Sequence, residues 1–362
     1  MARLLMRAIA GAGHHVVLGS RLRTFDGSGD AEAQTQFKIE SERQVAGLLD
    51  AYAKETVPAP ELWFTYHLYH KAPDWIGPAV AKALSIPYVV SEASVAPKQA
   101  GGPWDMGHRA VLRALHQADL VIGFNDIDAV CVSDVLSGSQ RYERLPPFVD
   151  IEPYTDAAAN RSTYRAMAAG QYGLPTGVPW LMTVAMMRPG DKTRSYRLLS
   201  DTLGELQDEA WHLLVVGDGT NRREIRDAFA PIGDRVHWLG QLDTDGLPGL
   251  YAAADIYVWP ALNEAYGMSF LEAQSSGLPV IAGNDGGVPG VVHAPEAGIL
   301  VATGDTHAFA TAVRSLLHNP DSRRAIGTAA QSRMRDEHSL FAASRTLDRL
   351  LHDVREKHPL CA

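Results

Sequence analysis

The sequence predicts an α/β protein built from two domains, each organised around a parallel sheet. Short apolar runs typical of buried strands alternate with helical patterns along most of the chain. This alternation indicates β-α-β units with right-handed crossovers. The 362 residues are enough for two domains of ordinary size. A glycine- and proline-rich stretch at residues 168–179 interrupts the alternation and is the predicted linker.

Composition and charge argue against several classes of protein. Hydrophobic residues make up 46% of the chain and charged residues 21%, as in ordinary globular proteins. The net charge of −9 argues against a nucleic-acid binder, which usually carries a basic excess. No apolar run reaches the ~18–20 residues that a membrane-spanning helix needs. Cys131 and Cys361 are the only cysteines, which does not suggest a disulfide framework, and we expect a cytoplasmic protein.

The first elements are predicted from the spacing of apolar residues. Residues 1–11 have apolar side chains at helical spacing and end at Gly11, which predicts a helix. Arg7 interrupts this apolar run, which argues against a secretory signal. The arginines of this helix could touch an anionic membrane at its inner face, whereas a solvated helix face is the simpler interpretation. The next apolar run, from His15 to Gly19, is predicted to be a strand.

The rest of the first domain continues the alternation. Strands are predicted at residues 61–67, 87–92 and 119–124, and helices at 36–52, 76–84 and 108–117. Residues 145–150 close this domain.

A second alternation begins after the linker. Its predicted strands are residues 180–185, 211–216, 235–238, 255–259 and 279–282, with helices between them and further helices at 306–318, 320–336 and 340–356. In open parallel sheets, ligands bind beyond the carboxyl ends of the strands.

The stretch from Tyr257 to Glu272 carries the strongest chemical signal. It ends a strand, turns at Pro260 and enters a helix expected to begin near Tyr266, whose free N–H groups would attract an anion such as a phosphate. Glu264 then precedes the helix, and Glu272 lies within about 80° of the same face. Acids beside a phosphate more plausibly accept hydrogen bonds from hydroxyls, so a nucleotide sugar is indicated. The alternative is a capping acid and a solvated surface acid.

The same stretch resembles the Glu-x7-Glu motif of retaining glycosyltransferases of family 4, the glycosyl transferases group 1. The resemblance extends, in order, through residues 213–219, 235–240, 250–255 and 276–282. It implies the GT-B fold, in which two Rossmann-like domains with parallel sheets face a central cleft.

On this resemblance, residues 1–170 form the acceptor-side domain and residues 171–336 the nucleotide-sugar donor domain, while the helical segment 337–362 returns to the first domain. Members of this family usually begin with a strand and a glycine-rich loop before the first helix. Both are missing from this sequence, so we expect a shortened chain or a misplaced start codon.

The resemblance also assigns roles in the second domain. Glu264 would bind hydroxyls of the transferred sugar, and Glu272 the ribose hydroxyls. Lys192 matches the lysine that stabilises the leaving group, while Met187 occupies the position of its arginine partner and Arg188 is displaced by one residue. We expect Arg188 to contact phosphate instead. Further donor-binding positions are the amides of Tyr266, Gly267 and Met268, the turn at Gly217 and Gly219, and His237, near which backbone groups bind the base.

The first domain departs from the family pattern. The histidine usually found after the strand ending near Ser91 is absent. His67 and His70, at the end of an earlier strand, are the catalytic candidates to replace it, although a histidine at a strand end is often purely structural. Glu92 is expected to bind acceptor hydroxyls.

The predicted function is therefore retaining transfer of a sugar from a nucleotide-sugar donor, UDP- or GDP-linked, to a hydroxyl of a glycan, lipid or small molecule. We expect no cofactor, and the acidic net charge argues against a nucleic-acid partner. The resemblance also implies that no catalytic metal is needed, because the helix N-terminus and basic side chains would hold the diphosphate. No Walker loop, Ser-His-Asp order or Cys/His metal cluster is apparent. Two alternatives remain: a non-catalytic sugar-nucleotide-binding protein and a nucleotide-sugar epimerase of the same fold.

Overall fold

A computed structural model describes residues 1–136, 138 and 140–358, which form two compact units. Unit 1 comprises Met1–Leu145 together with the chain from Ala343 onward, and unit 2 comprises Pro146–Ala342. Cys361 lies outside the described residues, whereas Cys131 is exposed and has a free thiol. None of the helices described is both long and apolar enough to cross a bilayer.

Unit 1 contains a four-stranded parallel sheet in the order β1-β2-β3-β4. Buried aliphatic residues of β2 and β3 form its centre, as expected for strands covered on both faces. The strands are β1 (Trp63–Leu68), β2 (Tyr88–Ala93), β3 (Leu120–Gly123) and β4 (Arg141–Arg144), and the helices are α1 (Ala2–Gly11), α2 (Ala31–Ala53), α3 (Gly77–Leu84), α4 (Asp105–Gln117), α5 (Asp126–Ser133) and α14 (Leu340–Lys357).

The strand predicted from His15 to Gly19 is wrong. This segment is irregular, and Val17 and Leu18 are 71% and 56% exposed. An apolar run becomes a strand only when a neighbouring strand shares its backbone hydrogen bonds. None of the described strands pairs with this segment, and the edge strand β1 pairs only with β2.

Unit 2 contains a six-stranded parallel sheet in the order β10-β9-β8-β5-β6-β7. Its strands are β5 (Trp180–Val184), β6 (His212–Val216), β7 (Val236–Gly240), β8 (Ile256–Trp259), β9 (Val280–Gly283) and β10 (Ile299–Val301). Its helices are α6 (Glu152–Ala159), α7 (Arg161–Tyr172), α8 (Asp191–Gly204), α9 (Arg222–Ala228), α10 (Leu247–Ala253), α11 (Met268–Ser275), α12 (Thr306–His318) and α13 (Pro320–Glu337). The residues of β8 and β9 are buried. All five strands predicted for this domain are present.

The start of unit 2 differs from the predicted boundary at residue 171. Helix α6 and most of α7 lie before that boundary, yet both helices pack on α10 in unit 2. Arg161 and Arg165 of α7 donate to the Asp255 carboxylate at 2.7 and 2.8 Å, and Asp255 also accepts the Trp180 N–H at 2.8 Å. Because Asp255 precedes β8 and Trp180 begins β5, the carboxylate fixes α7 to the start of both strands. The glycine- and proline-rich stretch therefore connects α7 to β5 within one unit.

We predict that Asp255→Ala lowers the free energy of unfolding of unit 2 by about 3–5 kcal/mol, because two arginines and a backbone N–H lose a partly buried partner. Native-state hydrogen exchange of peptides covering β5 and β8 measures this change. Asp321→Ala, which removes a 90%-exposed partner of Arg324, is the control and should have little effect. Equal protection in Asp255→Ala and the control would contradict the anchoring role.

Candidate active site

The strand order of unit 2 places a crevice at the end of β5. From β5 the chain proceeds to β6 and β7 on one side, then returns to pair β8 with the other side of β5. The loops that follow β5 and β8 therefore flank the point at which the strand order reverses, where open α/β sheets bind ligands. Lys192 and Arg188 belong to the first of these connections, and Glu264 belongs to the second.

Lys192 and Glu264 form an ion pair between the two connections. Lys192 Nζ lies in direct contact with Glu264 Oε2, and the side chains are only 14% and 18% exposed. The Lys192 ammonium also lies 5.5 Å from the centre of the Trp259 ring at the end of β8. A cation and an anion that are largely shielded from water hold one another in place. The structure thus brings together two residues predicted to act on the same substrate.

Two hydrogen bonds lock the β8–α11 loop onto α8. Asn263 Nδ2 donates to Asp191 Oδ2 at 3.0 Å, and the Leu262 N–H donates to Ser195 Oγ at 3.0 Å. Hydrogen bonds from Arg194 and Asn263, together with the positive charge of Arg194 and a smaller effect of Arg188, lower the pKa of Asp191. Asp191 thus remains an ionised acceptor for the loop.

The β8–α11 loop also rests on glycine backbone. A Cβ at Gly286 would lie 2.2 Å from the Glu264 carbonyl oxygen, and one at Gly287 would lie 1.8 Å from the Ala265 carbonyl oxygen. The Gly287 N–H donates to the Glu264 carbonyl at 2.8 Å. Glycine is therefore required at both positions for the loop to approach this closely.

Helix α11 begins slightly later than predicted, at Met268 rather than near Tyr266. Gly267, with φ of 69°, precedes the helix and supplies no side-chain cap. The Phe270 N–H donates a hydrogen bond to the Gly267 carbonyl at 3.0 Å. The amides of Met268 and Ser269 occupy the first positions of the helix, where no intrahelical acceptor exists, so this end can bind an anion.

The turn after β6 approaches the β5–α8 loop. A Cβ at Gly217 would lie 2.0 Å from the Ala185 carbonyl oxygen, and one at Gly219 would lie 2.3 Å from the Met187 carbonyl oxygen. The Met187 N–H donates to the Asp218 carbonyl at 2.9 Å. Both glycines thus lie at the carboxyl ends of the central strands, beside the segment that leads to Lys192.

Met187 and Arg188 occupy opposite environments. The Met187 side chain is 1% exposed and packs in the core of unit 2, so an arginine there would be buried. Arg188 is exposed, and its carbonyl accepts a hydrogen bond from Thr193 Oγ1 at 2.9 Å. The buried position of this loop therefore holds an apolar side chain, and the arginine lies on its solvent-exposed surface.

Glu272 lies on α11 beneath two tyrosine hydroxyls. Tyr251 Oη donates to Glu272 Oε2 at 2.9 Å, and the Tyr154 hydroxyl also hydrogen-bonds this carboxyl group. Burial raises the pKa of Glu272 to about 7 although both hydroxyls oppose that shift. Glu272 thus changes between a donor and an acceptor of hydrogen bonds near neutral pH.

The His237 side chain does not join this group. Its Nε2 lies 2.8 Å from Nδ1 of His212, the first residue of β6, whereas the candidate site lies beyond the other end of that strand. Burial lowers the pKa of both imidazoles. His237 and Arg235 lower the pKa of His212 further, whereas Asp234 partly opposes the shift of His237. Only the backbone at the carboxyl end of β7, where the Gly240 carbonyl accepts the Gly217 N–H at 2.8 Å, approaches the site.

Unit 1 brings His67 and Glu92 together at the ends of neighbouring strands. His67 Nδ1 lies 3.5 Å from Glu92 Oε2, and both residues adopt left-handed backbone angles, with φ of 67° and 58°. Burial would raise the pKa of Glu92, but hydrogen bonds from His67 and Tyr66 hold it below its usual value. Glu92 is therefore an ionised hydrogen-bond acceptor, and two strained residues are retained at the carboxyl edge of the sheet.

His70 occupies a separate position in the loop after β1. Its ring lies edge-on to Trp104, with ring centres 5.9 Å apart. Burial and the nearby charges of Lys71, His108 and Lys98 lower its pKa, so it is a neutral imidazole near pH 7. His70 is therefore close to His67 in sequence but does not share its carboxylate partner.

Several contributing residues were not identified from the sequence. Tyr251 lies within the matched segment 250–255, and Asn263 adjoins Glu264, so both could have been found by adjacency. Tyr154 precedes the predicted linker and carries no recognisable pattern. Its contact with Glu272 arises only from the packing of α6 against α11.

The structure resembles glycosyltransferases of the GT-B fold. It superposes on sucrose-phosphate synthase from Thermosynechococcus elongatus with a TM-score of 0.69, 22% identity and coverage of 98% of this chain and 93% of that one. It superposes on a glycosyltransferase from Rickettsia africae with a TM-score of 0.74 and 16% identity, covering 97% of this chain and 94% of that one. For Anabaena HepE in complex with UDP-glucose, the TM-score is 0.65 at 17% identity, and the match covers 88% of this chain and 89% of that one. The predicted fold class, α/β with two Rossmann-like parallel-sheet domains, is confirmed.

Residues 186–333, which lie in unit 2, match the family described as Glycosyl transferases group 1. Among curated relatives, D-inositol 3-phosphate glycosyltransferase of Corynebacterium kroppenstedtii is 36% identical over 70% of this chain and 55% of that protein. A GDP-mannose-dependent alpha-(1-6)-phosphatidylinositol monomannoside mannosyltransferase of Mycobacterium tuberculosis is 30% identical over 62% of this chain and 59% of that protein. The chain thus spans between one half and three-fifths of the length of these two relatives.

We predict that the stability of the protein falls as pH rises from about 5 to 8 because of Glu272. Its pKa is raised from 4.5 to about 7 on folding, so between these values the native state binds a proton that the unfolded state lacks. This stabilisation is complete below pH 4.5 and is lost as pH passes 7. It amounts to no more than about 3 kcal/mol.

Urea unfolding of wild type and Glu272→Gln at pH 5 and pH 8 measures the effect. The advantage of the glutamine variant should be larger at pH 8, since all other titrating groups are shared. The same difference between the two proteins at both pH values would show that Glu272 is not protonated in the native state.

Proposed function

We propose that this chain is a retaining glycosyltransferase that moves a sugar from a UDP- or GDP-sugar to an acceptor hydroxyl. The observation that carries the proposal is the Lys192–Glu264 pair, which lies at the reversal point of the sheet between the loops that lead into α8 and out of β8. It combines a cation suited to a diphosphate with an anion suited to sugar hydroxyls.

The diphosphate would bind at the N-terminus of α11. The amides of Met268 and Ser269 and the positive end of the helix dipole suit an anion there. Lys192 would then exchange part of its contact with Glu264 for the phosphate oxygens, and the exposed Arg188 would add a second cation. We propose that these groups neutralise the leaving diphosphate in place of a divalent metal ion.

Glu264 would position the transferred sugar. Once Lys192 turns to phosphate, the Glu264 carboxylate can accept hydrogen bonds from sugar hydroxyls, while its backbone stays fixed by Gly287 and the adjoining Asn263. The acceptor hydroxyl would attack from the face that the diphosphate leaves, and the departing phosphate oxygen would accept its proton. This mechanism requires no separate general base in unit 2.

In unit 1, His67 and Glu92 would serve the acceptor. Glu92 is ionised and can accept from an acceptor hydroxyl, while His67 holds the carboxylate in place. The neutral His70 would contribute an uncharged donor or acceptor from the loop after β1. We also propose that the chain acts in the cytoplasm, with any contact to a membrane limited to its surface.

Donor binding and transfer are tested in sequence. A thermal-shift screen against UDP-, GDP- and ADP-sugars identifies the donor, and mass spectrometry then follows transfer to inositol phosphate, phosphatidylinositol mannosides and simple glycosides. These acceptors are chosen from the names of the relatives. Product with the sugar anomer retained supports the proposal. Isomerised donor without acceptor indicates an epimerase, and donor binding with neither hydrolysis nor transfer indicates a non-catalytic protein.

Lys192→Ala should reduce turnover by about 10²–10³-fold, because one preorganised charge-stabilising donor contributes ~2.7–4 kcal/mol in comparable sites. Steady-state transfer with the donor found above measures it. Arg197→Ala is the matched control, since Arg197 lies on the same helix but is exposed and paired with Glu224. Near-normal turnover in Lys192→Ala would remove this residue from the mechanism.

Donor affinity should rise with pH through about 7 if Glu272 binds the ribose hydroxyls, because hydroxyls donate to a carboxylate better than to a protonated acid. Calorimetric titration with the nucleoside diphosphate at pH 6 and pH 8 measures this. Glu272→Gln controls for ionisation of the nucleotide itself and should retain only that dependence. Identical pH dependence in both proteins would place the ribose elsewhere.

A further inference from the structure

Unit 2 contains a cluster of three side chains that the proposed reaction does not use. His293 follows β9, while Glu337 ends α13 and His338 follows it directly. The Nε2 atoms of His293 and His338 lie 3.4 Å apart, and His293 Nε2 lies 3.7 Å from Glu337 Oε2. One atom of each residue lies within 4.8 Å of the other two. Two imidazoles and a carboxylate are a common ligand set for zinc.

The orientation of His338 is fixed by the backbone. The side chain is 1% exposed, and Nδ1 lies 2.6 Å from the Pro147 carbonyl oxygen. A carbonyl only accepts hydrogen bonds, so Nδ1 donates its N–H to Pro147 and Nε2 is the nitrogen that faces His293. Metal-binding histidines are typically oriented in this way by a carbonyl or carboxylate on the other nitrogen.

The spacing of the two imidazole nitrogens is compatible with a shared cation. Tetrahedral zinc with Zn–N bonds of 2.0–2.1 Å separates its nitrogen ligands by about 3.3–3.4 Å. Direct N–H···N or N–H···O bonds are usually about 2.7–3.2 Å long. The observed 3.4 Å between the imidazole nitrogens matches the separation between zinc ligands, and the 3.7 Å between His293 Nε2 and Glu337 Oε2 is slightly longer.

The Glu337 carboxylate is held so that one oxygen faces the histidines. Arg333, one turn earlier on α13, contacts Glu337 Oε1, whereas Oε2 is the atom near His293. The arginine can therefore orient the carboxylate without occupying the oxygen that would bind a metal. Glu337 is partly exposed, so a water molecule could complete the coordination.

We propose that His293, Glu337 and His338 bind a zinc ion with a structural role. The ion would join the loop after Gly287 to the end of α13 and, through Pro147, to the start of unit 2, where the Val149 N–H also donates to the His338 carbonyl at 2.9 Å. This site shares no residue with the groups proposed to bind the diphosphate, and it stands or falls separately from the proposed function.

The test uses the full-length protein after chelation and desalting. Zinc affinity is measured by competition with a chromogenic chelator, and cobalt is added separately to record its visible absorption. We expect one equivalent of zinc, a tetrahedral cobalt spectrum and a zinc-dependent rise in Tm. His293→Ala removes a partly exposed ligand and should weaken binding by more than about 100-fold, beyond the 10–100-fold typical of outer-shell changes. Glu337→Gln should also lose affinity.

His237→Ala is the matched control, because it disrupts the other close histidine pair of unit 2. It should bind zinc like the wild type. Hydrogen exchange of His293→Ala and Glu337→Gln verifies that both variants are folded. No stoichiometric binding by the wild type, wild-type affinity in both ligand variants, or loss of binding only in His237→Ala would overturn the proposal.

Discussion

The ion pair between Lys192 and Glu264 is the interaction on which the site of unit 2 depends. It is shielded enough that either charge alone would be costly, so each side chain fixes the position of the other. The pair also joins two connections that are far apart in sequence, the start of α8 and the loop after β8. Asn263 and Ser195 reinforce that junction with neutral and charge-assisted hydrogen bonds. A ligand that competes for the lysine would therefore meet a carboxylate that is already in position.

The sheet makes this junction possible. Because β5 is flanked by β6 and β8, the segments leaving their carboxyl ends converge on one crevice. Large buried side chains at the ends of β5 and β8, Trp180 and Trp259 among them, fix the strands against the helices. Asp255 adds a polar anchor that includes α7 in the same packed unit. The chemistry of the crevice thus depends on a core that holds the connections after β5 and β8 in fixed positions.

Apolar periodicity predicted the central strands of unit 2 because these strands are buried on both faces and read as continuous hydrophobic runs. Apolar periodicity failed where the sequence pattern does not reflect burial in a sheet. β4, with the sequence Arg141-Tyr142-Glu143-Arg144, carries no apolar signal and forms a strand only because β3 offers a partner. The run at His15–Gly19 has the signal but no partner. The family resemblance singled out Glu264 and Lys192, which the structure brings into contact. The contact of Glu272 with Tyr154 and the burial of Met187 depend on tertiary packing and could not be predicted in this way.

The contacts of Gly286 and Gly287 with the carbonyls of Glu264 and Ala265 have a consequence for how this site can change in evolution. At these two contacts the path of the loop is set by main chain lying on main chain. A side chain at either glycine would push the loop away and would displace Glu264 with it. Substitution of either glycine is therefore closed to evolution as long as Glu264 keeps its place beside Lys192.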